Sequence, residues 1–136
     1  MGIAESMVRQ KELEKQAKQV PNINLLGYVD KFSGKRFYSY IDKSWILVNT
    51  ASREAFPLTF FEAGGRGCAI LSHVNPDNIA KTCGYWAKEE DFERGLKFLL
   101  SGNRWKSFGK KAHEYFTKET NNSLDKHLKL YEKLLK

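Results

Sequence analysis

Glu54 and Glu62 are the residues of this chain that point most directly to chemistry. They lie eight positions apart within residues 52–72, Ser-Arg-Glu-Ala-Phe-Pro-Leu-Thr-Phe-Phe-Glu-Ala-Gly-Gly-Arg-Gly-Cys-Ala-Ile-Leu-Ser. A carboxylate accepts hydrogen bonds and donates none, so it suits a partner rich in hydroxyls, such as a sugar or the vicinal diol of a ribose. Pro57 fits the first turn of a short helix, where a missing N–H costs nothing. The N–H groups of Phe56, Leu58 and Thr59 fall near that helix start and lack intrahelical partners. They can hold a diphosphate, aided by the positive end of the helix dipole. Glu54 then accepts from sugar hydroxyls and Glu62 from the ribose. The plain alternative is an acid complementing the helix dipole and a glutamate facing solvent. With eleven glutamates in the chain, about one such pair arises by chance, so spacing alone decides little.

The elements around the pair carry more weight. Trp45–Asn49 is a continuous apolar run of strand length, and Cys68–Ser72 is another. Such runs fit strands buried on both faces of a parallel sheet. The helix between them runs to about Ala63 and ends in Gly64-Gly65. Asn24–Val29 reads as a further short strand with Gly27 near its end, and Gly84–Ala87 as a last one. Asn75-Pro76-Asp77 marks a turn. A polar helix is expected over 4–19 and another within 31–42, starting at Ser33-Gly34. Three apolar stripes predict three C-terminal helices. The first carries Phe92, Leu96, Leu99 and Leu100. The second carries Trp105, Phe108, Ala112 and Phe116, weakened by Gly109. The third carries Leu124, Leu128, Tyr131 and Leu135 behind an N-cap at Ser123. Strands alternating with helices define an α/β parallel sheet, in which ligands bind at the carboxyl ends of the strands.

Composition bounds the function classes. A chain of 136 residues with 41% hydrophobic and 29% charged residues suits one globular domain. No apolar run approaches the roughly 18 residues of a spanning helix. The polar N-terminus has no signal-peptide core, so the cytoplasm is the expected location, with the inner membrane face as a second site for a basic surface. Cys68 and Cys83 are too far apart for a metal or redox motif, and Cys68 reads as a small core residue. The net charge is +7, and residues 101–136 hold nine Lys or Arg against four Asp or Glu. A basic tail suits phosphates: a nucleotide, a nucleic acid or an anionic membrane. Lys110-Lys111 and the interleaved aromatics Trp105, Phe108, Tyr115 and Phe116 could suit nucleic acid, but the aromatics fall mostly on the apolar stripe, which favours core packing. His73 reads as a loop residue, and Arg53 and Arg66 as surface residues.

The segment Trp45-Ile-Leu-Val-Asn-Thr-Ala-Ser-Arg-Glu-Ala-Phe-Pro-Leu-Thr-Phe-Phe-Glu-Ala-Gly-Gly-Arg-Gly-Cys-Ala-Ile-Leu-Ser72 resembles the E-x7-E segment of family 4 glycosyltransferases. Asn24–Val29 resembles the family's preceding strand and loop, and Asp91–Leu135 its C-terminal helices. These retaining enzymes have the GT-B fold, two Rossmann-like domains across a cleft. The resemblance implies a three-layer Rossmann-like parallel sheet with flanking helices, the partial C-terminal domain of such a fold. It also implies that Glu54 meets the donor sugar where it reacts and that Glu62 binds the nucleotide ribose. Phe56, Pro57 and Leu58 lie along the diphosphate, and Gly27 and Tyr28 beside the nucleobase. The implied substrate is a nucleoside-diphosphate hexose, with no metal and no separate cofactor.

Three departures qualify the expectation. Ala55 replaces a glycine that often follows the first glutamate. The family's domain usually starts with two more strands, the first carrying an Arg and a Lys that clamp the diphosphate, and this chain begins after them. The acceptor-binding domain is outside the sequence, to be supplied by a separate chain or by further sequence. By itself the chain is therefore expected to have little transferase activity, and an exposed sheet edge along Asn24–Val29 is expected to favour self-association. A nonenzymatic sugar-nucleotide or scaffold module and a basic nucleic-acid-binding domain are the alternatives.

Overall fold

The computed structural model describes residues 3–30, 32 and 35–135. Contacts divide the chain into two compact units, Met1–Phe37 and Tyr38–Lys136.

In the first unit, α1 spans Ile3–Lys18. Its surface is bound by side-chain hydrogen bonds one turn apart, from Gln10 to Glu14 at 3.0 Å and from Gln16 to Glu12 at 3.1 Å. Residues 23–30 have no regular secondary structure, which corrects the strand expected at Asn24–Val29. Gly27 takes a φ of +65°, which breaks an extended run. Without a neighbouring strand, nothing takes up the ladder of N–H and C=O groups a strand presents. The edge expected along these residues is corrected with it. The helix start read at Ser33-Gly34 lies outside the described residues.

The second unit takes in most of α2 (Lys35–Asp42), then β1 (Ile46–Asn49), α3 (Leu58–Gly64) and β2 (Ala69–Ser72). A 3-10 turn at Pro76–Asn78, α4 (Ile79–Thr82) and β3 (Gly84–Trp86) follow, and then α5 (Phe92–Leu100) and α6 (Arg104–Leu134). The three strands form a parallel sheet in the order β1-β2-β3, with β1 and β3 at its edges. Ile46 stands opposite Ala69 and Asn49 opposite Ser72, while Ile70 stands opposite Gly84 and Ser72 opposite Trp86. The carboxyl ends Asn49, Ser72 and Trp86 therefore share one edge. This is an α/β fold with helices on both faces of a small parallel sheet.

The apolar run of β2 explains the layering. All four of its residues are buried, and alternate side chains serve opposite faces. Ile70 joins Phe60 of α3, Ile79 and Ala80 of α4, Cys83, and Ala112 and Phe116 of α6. Ala69 and Leu71 join Ala87 and Leu99, with Phe92, Leu96, Trp105 and Phe108 packed alongside. Trp105, Phe108, Tyr115 and Phe116 of the basic tail thus pack in or against the core.

Two expected helices prove to be one. α6 runs unbroken for 31 residues, so Ser123 caps nothing. Residues 117–123 contain neither Gly nor Pro to stop the helix. Thr120 Oγ1 donates back to the Phe116 carbonyl at 2.8 Å, a bond made inside a continuing helix. The stripe of Leu124, Leu128 and Tyr131 stays exposed.

Both cysteines are buried free thiols. Burial pushes the Cys83 thiol up to about 11, an effect that Lys111 only partly offsets. The unfolded chain releases this proton first, so between about pH 8.5 and 11 the unfolded state holds fewer protons and stability falls as pH rises. Thermal melts should therefore drop across that window, and Cys83→Ala should flatten the decline relative to its own neutral-pH value. A parallel decline in both proteins would contradict the assignment.

Candidate functional site

The site is built on the loop that leads from the carboxyl end of β1 into α3. Pro57 caps α3 with φ −67° and ψ 118°, an extended conformation. It therefore stands one position before the helix proper, and its ring is fully buried. The first turn is closed by Phe60 N–H donating to the Pro57 carbonyl at 3.0 Å. Phe56 is half-buried and packs its ring 5.2 Å from that of Phe61 and 6.4 Å from that of Phe60. Phe56 and Pro57 thus anchor the loop by packing, while Leu58 is 67% exposed.

Glu54 lies exposed on this loop and accepts a hydrogen bond from Asn49 Nδ2 at 3.3 Å. Asn49 Oδ1 accepts from Ala51 N–H at 2.8 Å. Glu62 is half-buried on α3, whose core-facing residues are Phe60, Ala63 and Gly64. Ala55 adopts an ordinary backbone. Outside glycine, positive φ among the described residues belongs to Asp77, Asn78, Glu89 and Asn103, so the path of the chain does not require glycine at position 55. Gly27 and Tyr28 lie in the first unit, on the irregular stretch 23–30, and Tyr28 is 88% exposed.

The other candidates resolve into structural roles. His73 Nδ1 lies 3.2 Å from the Ala87 carbonyl, and the His73 carbonyl accepts from Trp86 Nε1 at 3.0 Å. His73 thereby ties the end of β2 to the end of β3. Arg66 pairs with Asp42 and stacks over the Tyr38 ring at 4.3 Å, which holds α2 against the turn after α3. Arg53 is exposed.

Asn49 is the residue that reading the sequence passed over. Its signal was an Asn at a strand end, two residues before a loop N–H, the pattern of an Asx turn. Among the described residues, no three His, Cys, Asp or Glu side chains group as a metal site requires. No helix among them is long and apolar enough to cross a membrane.

Fold and site together define a parallel α/β domain in which Asn49 and Glu54 meet at the loop beyond the first strand. Comparison with protein-family models, curated proteins and solved structures returned no match for this chain.

Proposed function

We propose that this chain is the donor-binding part of a retaining glycosyltransferase of the GT-B type, moving a hexose from a nucleoside-diphosphate sugar to an acceptor held elsewhere. The observation that carries the proposal is the placement of Glu54 on the loop from β1 into α3 and of Glu62 on α3 itself. In parallel α/β sheets this carboxyl edge is where ligands bind. Glu54 receives the sugar hydroxyls and Glu62 the ribose, with the backbone of Phe56, Pro57 and Leu58 along the diphosphate. Protein donors rather than a metal stabilise the leaving diphosphate in this reading. The assignment of Gly27 and Tyr28 to the nucleobase rests on the resemblance alone.

A second reading, binding without transfer, is favoured by the engagement of Arg66 with Asp42 and Tyr38. That cation is already committed and does not serve a diphosphate. Calorimetric titration with UDP, GDP and ADP tests what the two readings share. One of the three should bind saturably, with a Kd below about 1 mM. If none binds, both readings fail. Sugar transfer on addition of an acceptor-binding chain separates them in favour of the enzyme.

A further inference from the structure

We infer that Asn49 is a positioning residue of the donor site: it holds the Glu54 carboxylate beyond the carboxyl end of β1, with Oε2 turned to Asn49 and Oε1 presented to the sugar. The inference rests on the donor-binding reading above.

Asn49 is the last paired residue of β1, opposite Ser72. Its carbonyl accepts from His73 N–H at 3.3 Å, so the sheet anchors its backbone. The Oδ1 bond to Ala51 N–H, at 2.8 Å, then decides which way the amide faces. An oxygen must meet that N–H, so the NH2 group points to the opposite side. There it donates to Oε2 of Glu54 at 3.3 Å. Residues 52–55 are all exposed, and a glutamate on such a loop would otherwise sample many rotamers. The bond from Asn49 restricts that freedom. Oε1 keeps its lone pairs and is the oxygen presented to a ligand.

Two substitutions separate this role from mere support of the loop. Asn49→Asp retains an acceptor for Ala51 N–H but replaces the donor facing Glu54 with a like charge. Asn49→Ala removes both bonds. The readouts are Ala51 amide exchange by NMR and calorimetric affinities for UDP and UDP-glucose, with the GDP–mannose and ADP–glucose pairs run alongside. In Asn49→Asp, Ala51 exchange and affinity for the free nucleotide should match the wild type. Affinity for the nucleotide sugar should fall about tenfold. In Asn49→Ala, Ala51 protection should be lost as well. Nucleotide-sugar affinity that is unchanged in Asn49→Asp overturns the inference while leaving the donor reading intact. A wild-type chain that binds none of the nucleotides overturns the donor reading, and the role of Asn49 with it.

Discussion

Replacing Gly109 with alanine should destabilise the protein by about 2 kcal/mol or more, although alanine is the better helix former. A Cβ at this position would lie 2.0 Å from the Gly67 carbonyl oxygen and 3.0 Å from its carbon. Neither neighbour is the tip of a flexible side chain. Both are backbone of Gly67 in the turn that follows α3, and position 109 is itself fixed in the backbone of α6. Relief therefore requires moving the helix off the sheet, which loosens Ala112 and Phe116 from Phe60 and Ile70 in the same core. The gain in helix propensity is about 1 kcal/mol, while a 2.0 Å approach to backbone falls at or beyond the top of the roughly 1–3 kcal/mol that overpacking costs, which leaves a net loss of about 2 kcal/mol or more. The melting temperature should fall by roughly 10 °C. Ser107→Ala, on the exposed side of the same helix, should change stability by less than about 0.5 kcal/mol. Equal melting temperatures for Gly109→Ala and wild type would refute the close approach.

Glu62→Gln should weaken nucleotide binding by about ten- to a hundredfold. Hydrogen bonds to a charged acceptor contribute roughly 1.5–3 kcal/mol when formed away from bulk water. The substitution keeps the size of the side chain but removes its charge and turns one acceptor into a donor. In a bidentate contact with a ribose diol each carboxylate oxygen accepts from one hydroxyl, and the amide replaces one of those oxygens with a donor. Glu62 is not among the core-facing residues of α3, so a loss of affinity can be read separately from folding. Calorimetry with the nucleotide that binds best gives the measurement, and circular dichroism checks the helix content. Glu114→Gln, on the exposed side of α6, is the control. If Glu62→Gln bound as tightly as wild type, Glu62 would have no part in holding the ribose.

Much of the second unit was legible from periodicity. The runs at Trp45–Asn49 and Cys68–Ser72 became β1 and β2, but only β2 is buried on both faces, whereas β1 lies at the sheet edge with Trp45 and Val48 exposed. The stripe from Trp105 to Phe116 identified a packed helix. Gly109, read as a weakness in it, turned out to be the point of contact with the turn after α3. Asn24–Val29 failed for a reason that composition does not carry. A strand exists only with a neighbour, and local preference cannot supply one. The third helix merged with the second because an N-cap residue such as Ser123 starts a helix only where the preceding chain stops being one. The loop holding Glu54 was legible, but the side chain that holds Glu54 was not. Asn49 appears as the polar end of an apolar strand, and its two hydrogen bonds depend on how the loop returns beside it.

β2 is a wall common to two rooms. Ile70 faces one of them, Ala69 and Leu71 face the other, and Ser72 ends the strand at the carboxyl edge with its side chain fully buried. Neither layer of helices can lift away without uncovering the strand that the other layer depends on. The two layers therefore stand or fall as one cooperative body. The loop carrying Glu54 hangs from a neighbouring strand fastened to that wall along its whole length, so motion at the site is confined to the loop itself.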